Sequence, residues 1–165
     1  MSTNSLIGIK GENRTARVIY CHWDGYPKYV GMMLHKHYRD VKKLNKLLAL
    51  GDISCLAERV APTKEELEKG THDFNSPLSD VVVAYARDRG EKKNPARWIK
   101  LDGDIYEGVD YAYIYDANRD IWEIYKAKIS YDSYKGKNWC IHLERIPMDR
   151  KTLEKYHRDF QKGIR

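Results

Sequence analysis

The sequence contains no apolar run of the roughly 18 residues that a membrane-spanning helix needs. Its opening, MSTNSLIGIKG, has neither a basic start nor an apolar stretch of signal-peptide length. Both absences predict a soluble protein that stays in the cytoplasm and makes no membrane contact. Cysteine is scarce: Cys21, Cys55 and Cys140 lie far apart and outside any C-x-x-C pattern. An odd, scattered count excludes a disulfide framework and a structural zinc site, and reads most simply as buried thiols. Also missing are a glycine-rich phosphate loop, a G-x-S-x-G elbow, a dinucleotide fingerprint, internal repeats and low-complexity tracts. The stretch DGDIYEGVD, Asp102 to Asp110, resembles a calcium loop only superficially, because Tyr106 and Glu107 occupy its fifth and sixth positions, and a sharp-turn glycine is needed at the sixth. His35 and His37 are two apart, not the four that place a zinc pair on one helix face. Neither metal nor cofactor is expected.

What remains is a chain of 165 residues, 42% hydrophobic, enough for one core and too little for two comfortable domains. Its net charge of +6 is uneven: the first fifty residues hold nine Lys/Arg against three Asp/Glu, and the last fifteen hold five against two. Such basic ends suit nucleic acid or an acidic protein surface, or simply a solvated lysine-rich exterior. Thirteen Tyr and four Trp stand against two Phe, so most aromatic rings carry a polar tip suited to half-exposed positions.

The patterning predicts an α+β fold, a single domain over residues 1–165 with a mainly antiparallel β-sheet. SLIGI and ARVIYCHW form an opening hairpin around KGENRT. After Pro27, Val30, Leu34, Tyr38, Val41, Leu44 and Leu48 recur at helical spacing until Gly51, as one helix or two meeting near Asp40. Lys36, Arg39, Lys42, Lys43 and Lys46 fall on its other side. Residues 51–80 read as irregular apart from a turn of helix at Thr63–Lys69, where Thr63 and Glu66 match a capping box. DVVVAYARD, Asp80–Asp88, reads as a central strand. Tyr111–Ala127 reads as a hairpin turning at Ala117–Asp120, and Asn138–Ile146 as one further strand. A closing helix is capped by Asp149, buries Leu153, Tyr156 and Phe160, and ends at Gly163.

Several groups invite a functional reading. In an extended RVIYCHW, Val18, Tyr20 and His22 share one face and Ile19, Cys21 and Trp23 the other, so Cys21 and His22 point apart and make no nucleophile–base pair. WDGYP then turns the chain, with Asp24 able to cap backbone N–H groups and Pro27 placed at a helix start. His22, Trp23, Asp24 and Tyr26 therefore form either a glued corner or a ligand clamp. Arg87 and Arg89 are expected on a charged loop leaving the central strand, where Arg forks suit phosphate or carboxylate. Tyr111, Tyr113 and Tyr115, with Ile121 and Tyr125 across from them, make either a base-stacking face or core packing. Cys140, His142 and Glu144 share a strand face, but side chains two apart on a strand fit a triad poorly.

The stretches SLIGIKGENRTARVIYCHWDGYPKYVGMML, LLALGDISCLAERVAPT, HDFNSP and VVVAYARDRGE together resemble a family of small uncharacterised proteins encoded in bacteriophage and prophage genomes. The likeness runs through roughly the first 95 residues in order. It implies a phage accessory product in a bacterial host cytoplasm, where such proteins bind and redirect host factors or blunt host defences; it implies no mechanism. The expected function is a binding protein, not an enzyme, that captures a host protein, a nucleic acid or a nucleotide through His22, Trp23, Asp24, Tyr26, Arg87 and Arg89. One alternative is a hydrolase acting on nucleic acid or a nucleotide, with His22 and Asp24 as acid and base and Arg87 or Arg89 on phosphate. Another is a nucleic-acid module using Lys36, Arg39, Lys43 and Lys46. The oligomeric state is open, with a homodimer possible.

Overall fold

Two left-handed residues set the first turn. In the computed structural model, which describes residues 2–105, 108–131, 139–146 and 150–162, β1 (Ser5–Lys10) and β2 (Thr15–Cys21) pair antiparallel. Asn13 (φ 52°) and Arg14 (φ 56°) bend the chain between them, a conformation open to Asn through its short polar side chain. The Gly11 N–H donates to the Thr15 carbonyl at 2.9 Å and closes the loop.

The long apolar periodicity after Pro27 is broken three ways. Pro27 opens a π-helical turn, Pro27–Gly31, which continues into α1 (Met32–His37). The chain then straightens, and α2 (Val41–Ala49) starts at Asp40, whose carboxylate accepts the Lys42 N–H at 2.9 Å. Gly51 ends the run in the left-handed region (φ 73°), where a Cβ would stand 2.4 Å from the Asn94 carbonyl oxygen. Two helices meeting at Asp40 is therefore the observed form. Val41 departs from the pattern, being exposed.

Next come β3 (Ile53–Cys55), α3 (Lys64–Glu68) with the expected reciprocal Thr63–Glu66 cap, β4 (Val83–Ala84) and α4 (Tyr85–Arg89). The strand expected at Asp80–Asp88 is thus corrected to two residues of edge strand followed by a helical turn. The Asp88 carboxylate reaches back four residues to accept the Ala84 N–H at 2.7 Å, which starts the helix where the apolar run had suggested more strand. The remainder is β5 (Arg97–Lys100), β6 (Asp104–Ile105), β7 (Tyr111–Asp116), β8 (Ile121–Tyr131), β9 (Trp139–Ile146) and α5 (Arg150–Gln161). The proposed cap Asp149 and terminal Gly163 lie outside the described residues, as do the side chains of Tyr156 and Phe160.

Among the described residues the nine strands form one sheet, ordered β4-β3-β2-β1-β7-β8-β9-β6, with β5 also on β2. β1 with β7 and β2 with β3 are parallel; the other pairs are antiparallel. This is an α+β architecture with a mainly antiparallel sheet. Each face carries its own core. On the first, Ile7, Ile19, Cys21, Tyr113, Tyr115, Trp122 and Ile124 pack with Val30, Leu34, Leu44, Leu48 and Leu153 from the helices. On the second, Leu6, Ala16, Val18, Ala112, Ile114 and Tyr125 lie with Leu101 and Val109. The tyrosine row of the β7–β8 hairpin is therefore core: Tyr113 is fully buried and Tyr115 nearly so. Across from it stand Ile124 and Trp122, not Ile121 and Tyr125, since the register pairs Tyr113 with Ile124 and Tyr115 with Trp122. Tyr125 packs on the opposite face. No helix among the described residues is long and apolar enough to cross a membrane.

Candidate partner-binding site

Beyond β2 the backbone stays tied to its neighbour: the His22 N–H donates to the Ile53 carbonyl at 3.1 Å and the Trp23 N–H to that of Ser54 at 2.9 Å. Asp24 then turns the chain in the left-handed region (φ 55°). Gly25 fits because its neighbours leave no room for a Cβ, which would lie 2.7 Å from the Thr3 carbonyl oxygen. The Gly25 carbonyl accepts the buried Tyr113 hydroxyl at 2.7 Å. So the corner is glued by its backbone, and its side chains are left to face outward.

The expected alternation holds for Cys21 against Tyr20 and His22, but not for Trp23: the strand ends at Cys21, and Trp23, expected on the Cys21 face, is exposed and packs against His22 instead. Cys21 is buried on the helix-covered face, where burial above all pushes its thiol up to about 12, so it is a poor nucleophile at neutral pH. On the other side the Tyr20 hydroxyl and His22 Nδ1 share a hydrogen bond of 2.9 Å. The His22 and Trp23 rings meet edge to face at 4.8 Å, and Trp23 is 46% exposed. The Asp24 carboxylate accepts the Tyr26 hydroxyl at 3.2 Å, and Tyr26 occupies the position before Pro27 at the start of the π-helical turn.

Tyr20 carries this row into a cleft of about 330 Å³, whose other walls include Asp52, Tyr85, Arg89, Lys92 and Asn94. Asp52 is the organiser. Its carboxylate accepts the Tyr20 N–H (2.8 Å), the Arg97 guanidinium (2.9 Å) and the Asn94 side-chain amide (2.6 Å), pinning β2, β5 and the 90–96 loop to one point. The Arg89 guanidinium lies 4.4 Å above the Phe74 ring and 4.9 Å above the Tyr85 ring and pairs with Glu91. Burial, then the nearby Tyr85, raises the Tyr20 phenol above its ordinary value. The cleft therefore presents neutral phenols, a stacked guanidinium and, on an exposed rim, the Lys92 side chain.

Of the residues singled out in the sequence, His22, Trp23, Asp24 and Tyr26 form one corner, and Arg89 stands in the adjoining cleft. Arg87 does not join them. Both arginines sit on α4 rather than on the expected loop, and the Arg87 guanidinium donates to the carbonyls of Val60 (2.7 Å) and Val82 (2.5 Å) and pairs with Asp88 at 2.8 Å. Of the hydrolytic alternative's residues, His22 bonds Tyr20, Asp24 bonds Tyr26 and Arg87 is held by backbone, while Arg89 stands in the cleft that Tyr20 lines.

The basic helical face is also divided. Arg39 is fixed to Asp120 by a fork at 2.7 and 3.1 Å, which raises its guanidinium. The Lys43 ammonium donates to the carbonyls of His37 (2.8 Å) and Glu58 (2.7 Å) beside the Tyr38 ring, and burial lowers its pKa. Lys36 and Lys46 stay exposed, with Lys36 at a groove shared with Met32, His35, Glu154 and Arg158. On β9, Cys140 and His142 face Ser130 and Lys128 in register, while their side chains and that of Glu144 lie outside the described residues. No cluster of metal-ligating residues occurs among the described residues.

Tyr20, Phe74, Tyr85 and Asp52 were not singled out in the sequence. Tyr20 was within reach, since it alternates onto the face of His22; Tyr85 was hidden by the strand reading of its segment. Against known proteins, no family model, no curated protein and no solved structure matches the chain.

Proposed function

We propose that the chain is a bacteriophage accessory protein, acting in the cytoplasm of a bacterial host, that binds and redirects or inhibits a host macromolecule or defence component without catalysing a reaction. The observation that carries the reading is the continuous row Trp23, His22 and Tyr20 leading into the Arg89 cleft. Exposed tryptophan, half-exposed tyrosine and a stacked arginine are the residue types that dominate binding energy at protein interfaces. Here they stand on a backbone corner already fixed by hydrogen bonds, so little ordering is lost on docking. The resemblance of residues 5–34, 47–63, 72–77 and 81–91 to phage-encoded sequences supports the origin and the setting.

The test is native mass measurement of the chain isolated gently from bacterial cells, beside Trp23→Ala and Tyr26→Ala/Arg89→Ala. The wild type is expected to carry a stoichiometric partner, and either variant to weaken its capture by about 30-fold, the scale of an interface hot spot. Melting temperatures should stay within about 2 °C of wild type, as for surface substitutions. Undiminished capture by both variants, or loss only in step with unfolding, would refute the role of this surface.

A further inference from the structure

The cleft that Tyr20 enters contains two cations whose donors are not all engaged. Arg89 stands in its wall with the guanidinium over the Phe74 and Tyr85 rings, and gives Nε, at 2.7 Å, and Nη2 to a single oxygen of Glu91, Oε1. Among the described residues, Arg89 Nη1 has no partner, and Lys92, on the exposed rim of the same cleft, pairs with no carboxylate. The other carboxylate of the lining offers them nothing. Asp52 is occupied by the Tyr20 N–H, the Arg97 guanidinium and the Asn94 amide.

Glu91 reaches Arg89 through a fold in the backbone. The α4 helix ends at Gly90 in the left-handed region (φ 71°), and the chain doubles back so that the Glu91 N–H donates to the Tyr85 carbonyl at 3.3 Å. The Glu91 backbone is thereby fixed, whereas its side chain is 42% exposed and that of Arg89 46%. An ion pair so open to water contributes little, so the Glu91 side chain swings into solvent at small cost. Arg89 is held in place by the two rings beneath it. A carboxylate arriving from outside gains the two-pronged contact with the guanidinium that Glu91, using one oxygen, does not make, and meets Lys92 in the same cleft.

The surroundings select one acidic side chain over a polyanion. Asp52 and Glu91 stand in the walls, and Asp73 is exposed on the loop that carries Phe74. A phosphate backbone laid across the cleft would run onto these carboxylates. A single Asp or Glu side chain enters without meeting that repulsion along its length, and a space of about 330 Å³ admits it. We propose that, within the partner-binding surface assigned above and resting on that assignment, this cleft docks one acidic side chain of a protein partner, whose carboxylate displaces Glu91 from Arg89 and pairs with Lys92. Glu91 is then the internal occupant that the partner replaces, and the Tyr20–Trp23 row packs against what flanks the acidic residue.

The experiment is an NMR titration of the full chain with the blocked tripeptide acetyl-Gly-Glu-Gly-amide, following the Arg89 Nε–H and Lys92 amide signals, beside the same peptide with Gln for Glu. The Glu peptide should shift both signals saturably in the millimolar range, and the Gln peptide should not. Glu91→Gln, which removes the internal competitor, should tighten binding about 5-fold, the upper range for an exposed ion pair. Arg89→Lys, which keeps the charge and loses the fork, should weaken it about 5-fold, and Lys92→Ala about 3-fold. Lys46→Ala, on α2, should bind as wild type. No saturable shift with the Glu peptide, an equal response to the Gln peptide, or an oligothymidylate that displaces the peptide from Arg89 would each overturn the proposal. Unchanged affinity in Glu91→Gln, beside host-partner capture that Trp23→Ala still weakens, would overturn the acidic occupant alone. Capture undiminished by Trp23→Ala and by Tyr26→Ala/Arg89→Ala would remove the surface itself.

Discussion

Two tyrosine-rich regions of this chain, the β7–β8 hairpin and the corner at Tyr20–Tyr26, look alike in composition and have opposite fates. Tyr111, Tyr113 and Tyr115 face the helices and are absorbed into the core, Tyr113 with its hydroxyl on the Gly25 carbonyl and Tyr115 with its own on Asp120 at 2.5 Å. Tyr20, on β2, and His22 and Trp23, just past its end, keep their rings partly open to solvent instead. The lesson is that an aromatic stripe says nothing about binding until the covering element is known; the cover, set by where α1, α2 and α5 land, decides which stripe is core.

The largest effect should come from the covered region. Tyr113→Ala opens a cavity beneath the helices and frees the Gly25 carbonyl, a loss of about 3–5 kcal/mol on the scale of large aromatic truncations. That corresponds to a fall of about 6–20 °C in melting temperature for a chain of this size. Trp23→Ala, by contrast, should change stability by less than about 0.5 kcal/mol. Calorimetry of the two variants side by side tests the comparison directly, and equal losses would show that the corner is structural after all.

The next effect separates Arg87 from Arg89. Removing Arg87 strips charged donors from two backbone carbonyls and leaves Asp88, 5% exposed at its side chain, short of its closest cation. Burial pushes the Asp88 carboxyl up, but its Arg87 and Ala84 hydrogen bonds outweigh this and hold it below the ordinary value. Arg87→Ala should therefore cost about 3 kcal/mol, as for a broken buried pair. In the wild type, the depressed Asp88 pKa contributes stability above the unfolded-state value near 4, and this is lost as pH falls through the lower folded value. Acid unfolding should lose that component in the variant. Arg89→Ala should melt near wild type, because its own half-exposed guanidinium rests on two rings and the exposed Glu91 and holds no backbone carbonyl among the described residues.

These outcomes bear on what was legible beforehand. The opening hairpin, the β7–β8 hairpin, the break at Asp40 and the Thr63–Glu66 cap were readable because each is written in a local pattern: alternation, a helical period or a reciprocal cap. β3 was not, since three residues carry no period. The Asp80–Asp88 segment misled for a definite reason: Val81, Val82, Val83 and Ala84 are all buried, but between loops and an edge strand rather than in mid-sheet, and the helix after them is begun by a carboxylate four residues downstream. The corner was legible as residues on one strand face, whereas the cleft beside it depends on Asp52 and Asn94 meeting across forty-two positions. No sequence pattern announces that meeting, nor that Arg87 turns inward while Arg89 stays out.

A smaller effect comes from alkaline pH and again divides the regions. Burial, joined at Tyr115 by its hydrogen bond to the Asp120 carboxylate, pushes the phenols of Tyr29 and Tyr115 up to about 12. Their unfolded value is near 10. The fold thus keeps them protonated while the unfolded chain ionises, so the stability they supply is complete below about pH 10 and is lost as pH rises from there towards 12. Phenolate absorbance followed together with circular dichroism should show these core tyrosines ionising only as the fold is lost. Their titration near pH 10 in a still-folded chain would mean that the helix-covered core is open, and would erase the contrast with the corner.

The smallest expected effect lies on the helical lysines. Lys43 is anchored by two carbonyls and the Tyr38 ring, whereas Lys46, one turn on, is exposed. Lys43→Ala should cost about 1 kcal/mol through its lost hydrogen bonds, and Lys46→Ala less than about 0.5.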